Sequence, residues 1–349
     1  MVSKAGGKRS PVNPEKRAGH SISPETWDQF LNGSRLACAR LISLVENHPE
    51  FIPEVRNKLI PHQKGAVRVG ITGPPGVGKS TVTTALVRRA LKENHSIGVI
   101  AVDPSSPFTG GAFLGDRVRM QSLSGDTRVF IRSLASRDGH GGLSPSTPYA
   151  ADILDAFGMD RILIETVGVG QAELDVLTCS DMIILVLQPG TGDIIQALKA
   201  GILEIGDIFL VNKADLPGTE TLLESLRFLF EINAGRKDKP APPILTASAI
   251  QDRGMDEVYA EMERAIRGII RSGALQKKKR DRMEREIRES IQQNLWERFS
   301  ALMNAPEEIQ AVSERLLENR QSPYPYIRNT CAQIEIKFTK ERPCHEDGE

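Results

Sequence analysis

Through the middle of the chain, short runs of β-branched and other apolar residues alternate with longer stretches in which apolar positions recur at three or four. The runs are Val67–Thr72, Ile97–Asp103, Val129–Ser133, Arg161–Thr166, Met182–Leu187, Ile208–Asn212 and Pro243–Thr246. Most are apolar without alternation, as expected of strands buried on both faces. Strands that alternate with helical patterns predict an α/β fold with a mostly parallel central sheet flanked by helices. Ahead of this region, Ser23-Pro24-Glu25 reads as an N-cap with proline at the first helical position. It opens a helical segment carrying Trp27, Phe30, Leu36, Leu41, Leu44 and Val45, punctuated by Pro53 and Pro61. Beyond about Ser272 the strand pattern stops. There Met283, Ile287, Ile291, Leu295, Phe299 and Leu302 form one apolar stripe on a helix otherwise made of Arg, Glu and Gln, a stripe that needs a partner surface. The expected organisation is a tail over 1–24, an N-terminal helical region over 25–64, a sheet domain over 65–271, and a C-terminal helical arm and tail over 272–349.

Composition narrows the classes. At 349 residues the chain exceeds one average domain. Its 45 Lys and Arg balance 45 Asp and Glu, and aromatics make up 5%, which argues against a nucleic-acid or anionic-membrane footprint. The longest apolar run, Met182–Leu187, is far below the roughly 20 residues of a membrane helix. Cys38, Cys179, Cys331 and Cys344 are scattered and read as free thiols of a reducing compartment. Residues 1–24 are basic, lack an apolar core and read as a tail rather than a secretory signal, with an organelle-targeting segment as the alternative. The basic run Lys277–Arg280 reads as a solvated helix face.

The chemistry starts after the first strand. Gly73-Pro74-Pro75-Gly76-Val77-Gly78-Lys79-Ser80 fits GxxxxGK[ST] and leads, through Thr81, into a helix. Glycines let backbone N–H groups turn toward phosphate oxygens, and a helix start contributes about half a positive charge. Lys79 is placed for the β- and γ-phosphates and the Ser80 hydroxyl for Mg²⁺. Asn212-Lys213-Ala214-Asp215 follows another strand. An aspartate there can accept from both N1–H and the 2-amino group of guanine, donors that adenine does not offer, so the expected nucleotides are GTP and GDP. Ser248 and Ala249, after the next strand, can add backbone near the guanine oxygen.

Between these anchors, Glu165 ends an apolar strand where an ordinary GTPase would carry Asp, and Gly168 is placed to sense the γ-phosphate. The additional methylene favours a contact between Glu165 and Mg²⁺ through water. Asp103 and Asp116 lie at strand exits or loops expected to face the same edge, so Ser80, Asp103, Asp116 and Glu165 are the candidate metal set, in mixed direct and water-mediated contact. Gln171 lies three residues after Gly168 and receives no base role, which suggests slow intrinsic hydrolysis raised by a partner.

Four stretches carry a more specific likeness: DPSSPFTGGAFLGDRVRM (Asp103–Met120), SLASRDGHGGLS (Ser133–Ser144), ETVGVGQAELDV (Glu165–Val176), and PGTGDIIQALKAG from Pro189 with VNKAD ending at Asp215. Over roughly residues 25–320 the chain resembles the MeaB/ArgK group, GTPases associated with methylmalonyl-CoA mutase and related acyl-CoA mutases. The resemblance implies a G-protein chaperone that couples GTP hydrolysis to loading and protection of an adenosylcobalamin-dependent mutase. It implies a homodimer built through the Met283–Leu302 stripe, and a cytoplasmic location, or the mitochondrial matrix in a eukaryote. It implies that Asp103, Asp116 and Glu165 surround Mg²⁺. Gln188–Lys199 would form an additional switch loop, with Lys199 approaching the nucleotide when the mutase docks and acting catalytically beside Lys79 and Glu165. That loop departs from the common pattern in having Ile194 and Ile195. Asp138-Gly139-His140-Gly141-Gly142-Leu143 nearly meets the cobalamin motif DxHxxG but lacks its last glycine, so the cobalamin is expected in the partner. Two other readings stay open: a nickel-type metallocentre-insertion GTPase, for which the six dispersed histidines are a poor match, and a P-loop kinase acting on a small molecule.

Overall fold

The structure is a computed structural model that describes residues 22–104, 123, 125–136, 143–166, 172–190, 206–234, 241–303 and 305–331. All seven anticipated apolar runs form strands: β1 (Val67–Thr72), β2 (Ile97–Pro104), β3 (Val129–Ser136), β4 (Arg161–Glu165), β5 (Met182–Leu187), β6 (Ile208–Val211) and β7 (Ile244–Thr246). They pair in the order β3-β2-β4-β1-β5-β6-β7, and every pairing is parallel. The chain leaves β1 for β2 and β3 on one side, returns to place β4 beside β1, and then builds β5, β6 and β7 on the other side. β1 is therefore the switch point, and a crevice opens beyond its carboxyl end, where open parallel sheets bind ligands.

The two faces of the sheet are buried differently. Val67, Val69 and Ile71 of β1 pack with Val82, Leu86 and Val87 of α4 (Lys79–Lys92) on one face. On the other, Ile162 and Ile164 of β4 and Ile100 and Val102 of β2 meet an all-helical layer. That layer contains α1 (Pro24–Leu31), α2 (Arg35–Asn47), α3 (Ile52–Leu59), α5 (Thr147–Phe157) and α6 (Ala172–Cys179). α1 begins as its sequence predicts: the Ser23 side chain accepts from Thr26 N at 3.1 Å and Pro24 opens the helix. The N-terminal helices thus share their core with the sheet. A third cluster joins Leu185, Leu187, Phe209 and Val211 to Leu222, Leu223 and Leu226 of α7 (Thr219–Ala234).

Polar anchors fasten the helical layer at the amino edge of the sheet. Arg68, buried in β1, donates to Asp152 of α5 at 2.6 Å, and Asp152 also accepts from Gln63 at 2.8 Å. Asp155 Oδ1 collects the backbone N–H groups of Lys64, Gly65 and Ala66 at 2.8 to 3.0 Å. Burial pulls the Arg68 pKa down, but Asp152 and Asp181 outweigh it and the guanidinium is held above its ordinary value. Taking these charges out of water is costly, and the ion pair and the hydrogen bonds converging on Asp152 and Asp155 offset that cost.

The chain divides into two compact units, Met1–Lys278 and Lys279–Glu349. α8 (Met255–Arg271) belongs to the first, α9 (Ala274–Met303) runs into the second, and the second also holds α10 (Ala305–Glu318). Along α9, Met283, Ile287, Ile291 and Leu295 are 44% to 54% exposed. Among the described residues no helix is long and apolar enough to cross a membrane.

Candidate nucleotide site

The loop between β1 and α4 lies at the switch point, and its conformation demands glycine. Gly73 has φ +143°, and a Cβ placed on it would lie 2.0 Å from the carbonyl oxygen of Val186 in β5. Gly78 has φ +93° and caps α4, and a Cβ there would meet the Asn212 amide at 2.6 Å. The loop therefore packs directly on β5 and on the segment after β6, with the start of a 14-residue helix behind it. Unpaired N–H groups at such a start favour anions.

Lys79 and Ser80 point into this crevice from the first turn of α4, and both are buried. Lys79 Nζ donates to the carbonyls of Gly73 and Pro74, each at 2.8 Å, so the amine lies curled inside the loop. Ser80 Oγ donates to Glu165 Oε1 at 2.6 Å. The register brings Glu165 here: at the last residue of β4 it pairs with Ile71 of β1 and Ala101 of β2. A glutamate at this position reaches the serine hydroxyl itself in this structure. One turn further along α4, Thr83 Oγ1 lies 2.9 Å from Glu165 Oε2 and 3.0 Å from the Lys79 carbonyl. Beside them the hydroxyls of Thr72 and Thr166 bond at 2.9 Å, joining the ends of β1 and β4.

The segment after β6 closes the other side. Asn212 donates to the Val77 carbonyl at 2.8 Å and accepts from Ala249 N at 3.0 Å. It braces the phosphate loop against the turn after β7. Lys213, at φ +56°, reaches across to the Gly76 carbonyl at 2.7 Å. Ala214 N donates to the Ala247 carbonyl at 3.0 Å, which leaves Asp215 exposed at the mouth. The Ser248 hydroxyl, then the charges of Arg253 and Lys213, hold the Asp215 carboxyl below the usual carboxylate range.

The residues anticipated from sequence fall into two groups. Gly73, Pro74, Pro75, Gly76, Val77, Gly78, Lys79, Ser80, Thr81, Glu165, Asn212, Lys213, Asp215, Ser248 and Ala249 lie around this crevice or on the loops that frame it. Asp103 occupies the carboxyl end of β2, two positions beyond the partner of Glu165, and its side chain lies outside the described residues. Asp116, Gly168, Gln171 and Lys199 also lie outside them. Among the described residues no three His, Cys, Asp or Glu side chains gather. A buried hydroxyl bonded to a carboxylate nevertheless fits Mg²⁺, a hard cation that takes one or two carboxylates and completes its shell with water and phosphate oxygens. Thr83 was not anticipated. Its signal is a second hydroxyl three residues after Ser80, hence on the same face of the helix.

Comparison with known proteins agrees with this architecture. A Pyrococcus abyssi protein is 45% identical over 266 residues, 76% of this chain and 82% of its own. A mouse protein named methylmalonic aciduria type A homolog, mitochondrial, is 34% identical over 260 residues, 73% of this chain and 62% of its own. The crystal structure of a LAO/AO transport system kinase matches with a TM-score of 0.67 at 24% identity, over 93% of this chain and 100% of that one, a likeness of fold. A family model described as methylmalonyl-CoA mutase-associated GTPase MeaB matches residues 38–304. With a phosphate loop, a carboxylate bonded to its serine and an NKAD segment framing one crevice, the chain belongs to the MeaB family and is a GTPase.

Proposed function

We propose that this GTPase acts as a G-protein chaperone for an adenosylcobalamin-dependent acyl-CoA mutase, assisting its cofactor loading and protection, in the cytoplasm, or in the mitochondrial matrix if the source is a eukaryote. The observation that carries this reading is the family match itself, whose description names association with methylmalonyl-CoA mutase. The name of the mouse relative is in keeping with it.

In this reading the loop 73–81 wraps the phosphates of GTP. The Lys79 amine exchanges its two carbonyl acceptors for β- and γ-phosphate oxygens, a stronger charge-assisted pairing. Ser80 and Glu165, with Asp103 and Asp116, would hold Mg²⁺, and the ion would supply positive charge against the charge that develops on the phosphates. Asp215 reads the guanine edge, with Asn212, Lys213, Ser248 and Ala249 shaping the pocket. Gly168 follows the γ-phosphate. Lys199, in the segment Gln188–Lys199, supplies a cation to the transition state once the mutase docks.

The decisive experiment immobilises the full chain loaded with a non-hydrolysable GTP analogue and asks which cobalamin-dependent mutase it retains. Retention with the analogue, release with GDP, and faster GTP hydrolysis in the presence of that mutase are the expected results. Equal hydrolysis with and without saturating mutase, or phosphate transfer from labelled GTP to a small-molecule acceptor, rejects the reading.

The exposed stripe on α9 supports a homodimer, since Met283, Ile287, Ile291 and Leu295, four large apolar side chains at helical spacing, stay 44% to 54% exposed. Mass in solution should be that of a dimer, and Ile291→Asp should shift it toward the monomer, because a buried unpaired carboxylate opposes association. A monomeric unmutated chain rejects the assignment.

A further inference from the structure

We infer that Thr83 is a positioning residue for the metal site, one that orients Glu165 by holding its second carboxylate oxygen. The inference rests on the reading of Ser80 and Glu165 as part of a Mg²⁺ site. α4 presents two hydroxyls to one carboxylate, Ser80 to Oε1 at 2.6 Å and Thr83 to Oε2 at 2.9 Å. Thr83 has no solvent exposure and Glu165 is 4% exposed, so both bonds act in a low-dielectric setting where charge-assisted hydrogen bonds are strong.

A glutamate explains the need for the second bond. It has one more rotatable torsion than an aspartate, and at the end of β4 only fixed contacts select one rotamer. A hydroxyl has one proton and two lone pairs, so Ser80 can keep donating to Oε1 while offering a lone pair to a cation. Oε2 is then the oxygen whose direction decides how the carboxylate faces the ion or its waters. Thr83 is suited to hold it. It is β-branched and stiff at χ1, and it stands on the same rigid helix as Ser80, so both oxygens are referred to one frame. Its proton can also go to the Lys79 carbonyl at 3.0 Å, but the charged acceptor is the stronger. Partners of this kind, which orient a metal-binding group without touching the metal, change metal affinity by about 10- to 100-fold when removed.

The test compares the wild-type chain with Thr83→Val, which keeps the shape and deletes the hydroxyl, and Thr83→Ser, which restores the hydroxyl. GDP affinity is measured in EDTA and then across a Mg²⁺ titration, with the Mg²⁺ concentration that half-restores slow GDP release as the readout. The expected result is that Thr83→Val needs about tenfold more Mg²⁺, Thr83→Ser behaves as wild type, and all three bind GDP equally in EDTA. A Thr83→Val titration that overlays wild type overturns the inference. So does loss of GDP affinity in EDTA, which would mark Thr83 as a packing residue, or a Thr83→Ser variant as impaired as Thr83→Val. A wild-type chain whose GDP release ignores Mg²⁺ would instead reject the underlying metal site.

Discussion

Gly73→Ala is expected to destroy nucleotide binding while Gly76→Ala, three residues away, weakens it far less. Both glycines have positive φ, +143° and +80°, so any side chain at either position is strained. Strain of this type costs on the order of 1–3 kcal/mol. What separates them is space. A Cβ on Gly76 meets nothing within 4 Å, whereas one on Gly73 lies 2.0 Å from the Val186 carbonyl oxygen and 3.0 Å from its carbonyl carbon. These are backbone atoms of β5, which is paired on one side with β1 and on the other with β6. They cannot retreat without opening the sheet, so the loop must move instead. Displacement of well-packed groups adds roughly 1–3 kcal/mol. A total of about 3 kcal/mol or more corresponds to a loss of nucleotide affinity on the order of a hundredfold or greater. Fluorescent GDP titration, with the urea midpoint measured alongside, checks both variants. A Gly73→Ala protein that binds GDP as tightly as Gly76→Ala would show that the loop does not need its close approach to β5.

How much of this was readable in advance depends on the range of the interaction. All seven strands could be read from short apolar runs, most of them buried on both faces of the sheet, and Ser23 and Pro24 announce α1 through bonds that span three residues. The phosphate loop is equally local. The order of the strands is not, since nothing in Val67–Thr72 states that Arg161–Glu165 and Met182–Leu187 will flank it. Residues whose purpose is a distant partner were likewise opaque. Arg68 looks out of place in an apolar run until Asp152, 84 positions away, is brought to it. Thr83 looks like one more helix residue until Glu165, 82 positions away, arrives at 2.9 Å. Asn212 was expected beside the nucleotide, and its amide proves to be engaged in bracing the phosphate loop to Ala249. That use depends on β6 and β7 being neighbours, which only the folded topology establishes.

Asp215→Asn carries the largest expected change, a loss of GTP affinity on the order of 10⁴-fold, because a site built to hydrogen-bond a substrate's donors is left with unpaired groups when that match is lost. In the proposed reading the carboxylate accepts twice, from guanine N1–H and the 2-amino group. An asparagine can accept once, and its NH₂ then faces another donor. Xanthine replaces the 2-amino group with an oxygen, so the substituted side chain would match N1–H with its oxygen and the new carbonyl with its amide, and xanthosine triphosphate should bind the variant in place of GTP. Asp215 is exposed, and substitutions at exposed positions usually change stability by no more than about 0.5 kcal/mol, so the fold should survive and unchanged thermal unfolding serves as the control. The pH dependence follows from the depressed pKa. With Ser248, Arg253 and Lys213 favouring the ionised form, the group stays charged well below neutrality, and the wild-type preference for GTP over ATP should hold flat from neutral pH to about pH 5, still above the ordinary aspartate value. Protonation at lower pH places a donor opposite a donor, and the preference should fall only there. Competition binding of GTP, ATP and xanthosine triphosphate to wild type and variant decides the matter. If Asp215→Asn retains the wild-type ranking of the three nucleotides, base recognition lies elsewhere and the NKAD segment serves the loop scaffold alone.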